Sequence, residues 1–380
     1  MRGLYVHVPF CEKRCHYCDF NTYLLREGGV DAYLEALARE AALYAARDDV
    51  SGVEFDTLYI GGGTPTALGP AQLERLFAAL APLRLRPGAE VTVEANPGTL
   101  TDARLDALLA GGANRISLGV QSLNDQLLVR LGRIHTARHA ADCYERARLR
   151  GFANINIDLM FALPGQDLDD WRRTLREIIA WNPEHISCYS LIIEEGTPFG
   201  ELYAQNALQL PGEEAELAMF RHAIDALGKA GYEHYEISNW ARPGYASQHN
   251  RIYWLNGEWL GLGPGAHSQW RGERFANERL PQVYAQRLQA GVLPVAWRET
   301  VDTATAEEDT VILGLRLRDG VNADAFARRF GRTLEDAFGR EIRHLLELGL
   351  IEWHGPDLRL TDRGLPVANQ AFQAFLRDRV

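Results

Sequence analysis

Short apolar runs alternate with longer stretches of helical periodicity through the first half of the chain. Six runs read as strands: LYVHV from Leu4, TLYIG from Thr57, Val91 to Ala95, RISLGV from Arg115, NINIDLM from Asn154 and HISCYSL from His185. Between them, apolar positions recur at helical spacing over Asp31 to Arg47, from Pro70, from Thr101, over Asn124 to Leu131, over Ala137 to Arg150 and over Leu168 to Trp181. Strand followed by helix, repeated in this way, predicts parallel strands joined by right-handed crossovers. Six such units fall short of a closed eight-fold barrel, so the pattern predicts an α/β fold with an open, partial (β/α)6 barrel over residues 1–200. Functional groups are then expected in the loops at the C-terminal ends of the strands.

After Leu191 the pattern changes. Glu213 to Ala230 is helical, whereas residues 232–270 are rich in Gly, Tyr, Trp, His and Asn without periodicity and read as loops and short strands. Residues 201–300 form an extension to the barrel. Within 301–380, helices are expected from Glu307, from Asn322 and over Leu334 to Leu348. Leu350 to Trp353, a turn at His354-Gly355-Pro356-Asp357, and Leu358 to Leu360 follow as a hairpin, so this unit is α+β and winged-helix-like.

Composition narrows the function classes. The chain has 380 residues, 46% hydrophobic and 24% charged, as in ordinary globular proteins. Its formal net charge of −11 disfavours general binding to nucleic acid or anionic membranes. The C-terminal unit, whose shape invites a DNA-binding hypothesis, holds eleven arginines, no lysine and fourteen acids, a net of −3. It reads as a packing or partner module with no nucleic-acid role. No apolar run reaches membrane-spanning length, and the N-terminus lacks the apolar core of a signal peptide, so no transmembrane segment and a cytoplasmic location are expected.

Five cysteines, three of them within eight positions, make a poor disulfide framework. Cys11, Cys15 and Cys18 stand in a C-x3-C-x2-C spacing just after the first strand. Three thiolates on one loop can hold three irons of a [4Fe–4S] cubane, leaving the fourth iron open to a bidentate amino-carboxylate such as the methionine end of S-adenosylmethionine. A zinc site is the alternative for the same residues. Gly61-Gly62-Gly63-Thr64-Pro65-Thr66 follows the second strand; glycines let backbone N–H groups approach a ligand, or simply make a tight turn. Glu94, Gln121 and Asp158 fall at the ends of the third, fourth and fifth strands, and Arg133 in a later loop could reach a carboxylate bidentately. Singly each is an ordinary structural residue; on successive strand ends they describe one ligand cradle. Cys143, in a helix, and Cys188, in the sixth strand, read as small buried side chains.

The stretch around Cys11, with the aromatic Tyr17 before the third cysteine, resembles the signature of radical S-adenosylmethionine proteins. The order GGGTPT, VEANPG, SLGVQS, NIDLMFALPGQ is similar to that of the oxygen-independent coproporphyrinogen III oxidases and their relatives. That resemblance implies S-adenosylmethionine contacts at Tyr5, Phe20, Gly62, Gly63, Thr64, Glu94, Gln121, Arg133 and Asp158. Two departures speak against oxidative decarboxylation of coproporphyrinogen III. Phe20 stands where the oxidases carry a fourth cysteine, and their long extension before the cluster loop has no counterpart ahead of Cys11. The second half instead resembles the sister group, the HemW heme chaperones, in His249-Asn250-Arg251-Ile252-Tyr253-Trp254 and in LGLGPGAHS. This implies heme as cargo, acceptor hemoproteins (respiratory enzymes at the membrane's inner face among them) and a homodimer; it does not indicate the heme donor. His249, Asn250, Tyr253 and Trp254 become candidate heme contacts, since histidine can ligate heme iron and aromatic faces suit a porphyrin. The same residues suit a hydrogen-bonded loop histidine among core aromatics. His267 is a second candidate ligand.

Overall fold

The structure, a computed structural model, describes residues 1–25 and 29–377. All six expected strands are present: β1 (Arg2–Val8), β2 (Glu54–Gly62), β3 (Arg84–Ala95), β4 (Arg115–Gln121), β5 (Ile155–Phe161) and β6 (His185–Ser190). They pair in parallel in that order. The crossovers carry α1 (Val30–Ala45), α2 (Pro70–Leu80), α3 (Asp102–Ala110), α4 (Ala137–Arg150) and α5 (Leu168–Trp181). Side-chain caps set several starts: Thr101, Thr136 and Asp167 each accept from a backbone N–H of the first turn. Most positions of the strands are buried on both faces, as in sheets covered by helices, with polar residues such as Thr92, Ser117 and Asn156 among them.

The chain then returns to both edges of this sheet. After α6 (Glu213–Lys229), β7 (Glu233–Glu236) and β8 (Asn239–Ala241) add antiparallel strands beyond β6. Following α7 (Gln248–Trp254), β9 (Glu258–Leu262) lies parallel to β1, with Leu4 opposite Leu260 and Val6 opposite Leu262. A seventh parallel strand was not expected from the sequence. Its run is short and its neighbour, 256 residues earlier in the register Arg2–Glu258, is remote in sequence, so no local pattern announces the pairing. It covers an edge of β1 that would otherwise be unpaired. Next come β10 (His267–Trp270), β11 (Glu273–Asn277), α8 (Pro281–Gln289) and β12 (Val295–Thr300), which complete an open twelve-stranded sheet in the order β12-β11-β10-β9-β1-β2-β3-β4-β5-β6-β8-β7.

The C-terminal unit has the expected helices and hairpin: α9 (Thr303–Gly314), α10 (Ala323–Phe330), α11 (Leu334–Glu347), and strands Ile351–His354 and Asp357–Leu360. Strand Val321–Asn322 pairs with the second of these to make the three-stranded wing. Buried Glu307 ties the unit together by ion pairs to Arg332 and Arg377. It meets the barrel where the Arg316 guanidinium lies 4.3 Å above the Trp254 ring and Arg329 donates to the Asn256 carbonyl. Cys143 and Cys188 are each 1% exposed, and the Cys143 thiol donates to the Pro97 carbonyl at 3.0 Å. Among the described residues no helix is long and apolar enough to cross a membrane.

Candidate functional site

The cysteine loop leaves the end of β1 and is held from every side. Phe10–Cys11 pairs with Tyr23–Leu24, and the Arg14 guanidinium donates to Thr22. The His16 N–H donates to the Leu131 carbonyl, while the His16 carbonyl accepts from the Phe199 N–H. Asn21 reaches across to the second half of the chain, its amide donating to the carbonyls of Pro264 and Arg279. Behind it, the buried Glu40 carboxylate accepts from the Gly263 N–H, Asn277 and Tyr284, which fixes the loop that Asn21 grips. Glu40 is pushed up to about 7 by burial.

Cys11, Cys15 and Cys18 are free thiols, partly exposed, and all three line one cavity of about 370 Å3 at the C-terminal ends of the parallel strands. That volume falls in the range of about 300–1,000 Å3 usual for small-molecule sites. Cys11 Sγ lies 3.5 Å from Thr64 Oγ1, and Cys15 Sγ accepts from Arg133 at 3.5 Å. Burial pushes the Cys11 thiol up, and the Cys18 thiol to about 11. A bound metal ion favours the thiolate form of a cysteine ligand. The three thiols line the same cavity wall, where they could be ligands of one cluster.

Glycines sew the second strand to this loop. The Gly63 N–H donates to the Val8 carbonyl and the Thr64 N–H to the Phe10 carbonyl, each at 2.8 Å. A Cβ on Gly63 would stand 2.7 Å from the Phe10 oxygen and 2.8 Å from the Val8 oxygen. Gly62 has φ +103°, and a Cβ there would lie 2.4 Å from the His7 ring. Gly63→Ala is therefore expected to push the base of the cysteine loop outward, at a local cost of about 1–3 kcal/mol. Iron content per chain after anaerobic reconstitution should fall well below wild type; equal loading would show that this contact does not position the loop.

The structure brings most of the candidate positions to one cavity. Phe20, Gly62, Gly63, Thr64, Glu94, Gln121, Arg133 and Asp158 all line the cavity with the cysteines. Glu94, half-buried on the cavity wall, accepts from Tyr59 OH at 2.8 Å and from the Gly62 N–H at 3.0 Å, and is pushed up to about 7 by desolvation. Asp158 accepts from Ser117 and Asn156, each at 2.8 Å. The chain bulges between Gly119 and Gln121, and Gln121 takes φ +67°, a strained conformation for a non-glycine residue that brings it to the cavity wall. The Arg133 guanidinium donates to the Gly119 carbonyl on the same bulge. Tyr5 does not line the cavity. Its hydroxyl bonds His7 Nδ1 at 2.9 Å and its ring stacks on Tyr59, so it supports the floor from below. Tyr59, Ser117 and Tyr189 were missed; polar residues at alternate positions of otherwise apolar buried strands are the signal that marks them.

The H-N-x-x-Y-W segment forms α7, capped by Ser247, and closes the opposite, N-terminal end of the barrel. His249 is 1% exposed. Its Nδ1 bonds Thr57 Oγ1 at 2.7 Å, its Nε2 bonds Tyr253 OH at 2.8 Å, and its ring stacks 5.1 Å from Tyr59. The Glu90 carboxylate accepts the N–H groups of Gln248 and His249. Burial holds His249 neutral, down to about 3. His249, expected as a candidate heme contact, presents no free ring nitrogen in this structure: both are hydrogen-bonded inside the barrel. Tyr253 packs edge-on against His249 and Trp259, and Trp254 lies beneath Arg316, so neither presents a free face for a porphyrin at this place. Asn250 takes part through its backbone N–H, which caps onto Ser247. His267, at the start of β10, is exposed.

A three-cysteine loop over the open end of a partial parallel barrel, with glycine and acidic strand ends around it, is the radical S-adenosylmethionine architecture. The radical SAM superfamily model matches residues 5–178, and the HemN C-terminal domain model matches residues 302–367. The heme chaperone HemW of Bacillus subtilis is 38% identical over 99% of this chain and 99% of its own length. That of Mycobacterium tuberculosis is 38% identical over 98% of this chain and 94% of its own. The chain belongs to the HemW family of radical SAM proteins. Among solved structures, coproporphyrinogen III oxidase (HemN) of Escherichia coli superposes with a TM-score of 0.86 at 26% identity, over 98% of this chain and 89% of that one.

The superfamily's cofactors are a [4Fe–4S] cluster and S-adenosylmethionine, and the residues present fit both. Cys11, Cys15 and Cys18 would supply three thiolates to the cluster, leaving its fourth iron without a cysteine from this loop. When bound, the pair supplies reductive cleavage of a sulfonium. The chain's own residues line the space beside the cysteines: the glycine run and Glu94 could take up a cationic amino group, Arg133 a carboxylate, and Asp158 and Gln121 the polar groups of a nucleoside.

Proposed function

We propose that the protein binds heme and delivers it to acceptor hemoproteins, with the cluster and S-adenosylmethionine held in the barrel cavity. The observation that carries this reading is the identity of 37–38% to proteins named heme chaperone HemW over nearly the whole chain. The local chemistry agrees. Phe20, at the position of the oxidases' fourth cysteine, is 60% exposed at the cavity mouth, with Ile192 (67%) and Tyr189 (40%) also on its wall. Exposed flat and branched apolar groups of this kind suit a porphyrin face, and Lys13 and Arg14 on the same rim suit its propionates. On this reading heme binds at this mouth, away from α7. Respiratory hemoproteins at the inner face of the membrane are the acceptors this reading favours.

Cluster-loaded protein is incubated anaerobically with heme and, separately, with coproporphyrinogen III, S-adenosylmethionine and a reductant. Stable heme uptake without porphyrinogen turnover is expected, and a Phe20→Ala, Ile192→Ala variant should bind heme more weakly with its cluster intact. Decarboxylation of the porphyrinogen would overturn the chaperone reading in favour of the oxidase activity to which the structural match points.

A further inference from the structure

Thr64 stands at the N-cap of the short 3-10 turn Pro65–Ala67, in an extended conformation with φ −134° and ψ 91°. A threonine at such a position ordinarily turns its hydroxyl back to an N–H of the first turn. This one makes no capping bond. Its N–H donates to the Phe10 carbonyl at 2.8 Å, and its own carbonyl accepts from the Ala67 N–H at 2.8 Å, so both backbone groups are engaged. Among the described residues the hydroxyl has a single hydrogen-bond partner, Cys11 Sγ, at 3.5 Å. Phe10 directly precedes Cys11, so the bond that seats the Thr64 backbone also fixes how far its hydroxyl lies from the sulfur. In the free thiol either group can donate. A cysteine that ligates iron has given up its proton and can only accept, so with a cluster in place the donor is the hydroxyl. Cys15 has a comparable donor in Arg133 Nη1, also at 3.5 Å, whose Nη2 is anchored on the Gly119 carbonyl. Hydrogen bonds to the cysteine sulfurs are among the factors that set a cluster's reduction potential. Such a bond strengthens as negative charge builds on the sulfur.

We infer that Thr64 is a positioning residue that makes the cluster easier to reduce, acting through Cys11 by donating its hydroxyl hydrogen bond to the coordinated sulfur. This rests on the [4Fe–4S] reading of the cysteine loop and is independent of heme and of S-adenosylmethionine. One electron enters the cluster from an external reductant; Thr64 loses no proton and forms no covalent bond. The donor favours the reduced form, which carries one more negative charge, so its removal lowers the potential. Arg133 is the poorer probe of the same effect, because it is charged and also stands where a cofactor carboxylate would be met. Thr64 can be changed without altering any charge.

The test is a reductive titration of full-length, anaerobically cluster-loaded protein without S-adenosylmethionine, followed by the electron paramagnetic resonance of the reduced cluster. Thr64→Val keeps the side chain's shape and removes the donor. Lys13, Arg14 and Arg133 on the cavity wall act on this variant and on wild type alike. The ratio of reduced to oxidised cluster at a given potential is expected to fall about tenfold, the scale of a hydrogen bond to a charged group. For a one-electron couple that is a shift of about 59 mV to more negative potential. Thr64→Ser, which keeps the hydroxyl, should stay within about threefold of wild type. Iron content is measured in each. An unchanged potential in Thr64→Val at full iron content would overturn the inference. So would an equal shift in Thr64→Ser, which would assign the effect to packing of the methyl group. Loss of iron in Thr64→Val but not in Thr64→Ser would also overturn it, because the hydroxyl would then serve cluster assembly and not the potential. A wild-type protein that takes up zinc or holds no cluster would remove the cluster reading itself, and this inference with it.

Discussion

Cys15→Ala should strip the iron from the protein. Of the three loop cysteines, Cys15 sits between the other two and its sulfur accepts from Arg133, which reaches back to the Gly119 bulge of the cradle. A cubane held by three thiolates on one short loop has no replacement ligand here. Among the described residues the remaining cysteines, Cys143 and Cys188, are buried far along the chain in α4 and β6. After anaerobic reconstitution, iron should drop from about four per chain to near none, with loss of the brown chromophore. Cys143→Ala is the control: its thiol is spent on the Pro97 carbonyl, so it should keep full iron content. Full loading in Cys15→Ala would show that the cluster is held elsewhere.

His249→Ala should cost stability and spare heme binding. The substitution leaves Thr57 Oγ1 and Tyr253 OH without their partner and opens a cavity beneath Tyr59 and beside Gly3. A buried polar group left unpaired costs about 1–3 kcal/mol and truncation of a large core side chain about 2–5 kcal/mol, so a loss of about 3–5 kcal/mol is expected. For a chain of 380 residues that corresponds to a fall in melting temperature of about 5 °C. The pH dependence carries a second signature. His249 titrates at about 3 in the folded chain against an unfolded value of 6.5, so the unfolded state binds the extra proton between those values. Stability therefore falls as pH drops through that window, by up to about 1.4 kcal/mol per unit for this one group. The variant should lose that share of the slope. A heme titration unchanged from wild type supports the buried role; a large loss of heme affinity with an unchanged melting temperature would restore His249 as a ligand.

Local signals in the sequence carried much of this structure. The helix over Leu168 to Trp181 has the same bounds in both because its ends are chemically marked: Asp167 caps the start and Asn182, in the left-handed conformation, stops it. β5 and β6 were visible as apolar runs, whereas β3 begins at Arg84, well before Val91, because its first residues are mostly exposed and show no apolar run. β9 escaped because strand pairing across the whole chain leaves no mark in a window of ten residues. The cavity followed the same rule. The cysteine loop and glycine run were legible because spacing and residue type carry the chemistry directly. Strand-end positions gave Glu94 and Asp158. Tyr5 stands on the same strand as the loop but is directed to His7 and Tyr59, a matter of side-chain direction that periodicity inside a buried strand does not settle. His249 shows the limit most plainly: a motif names the residues, and only packing shows that they close the barrel floor.

The account depends on an iron corner that no protein thiolate occupies, facing a strand-end cradle for a sulfonium nucleotide. Mössbauer spectroscopy of 57Fe-loaded protein, recorded with and without S-adenosylmethionine, tests this most directly. One iron site in about four should change its spectrum on addition, while the other three stay as they were. Zinc in place of iron, or four iron sites all indifferent to the added cofactor, would contradict it.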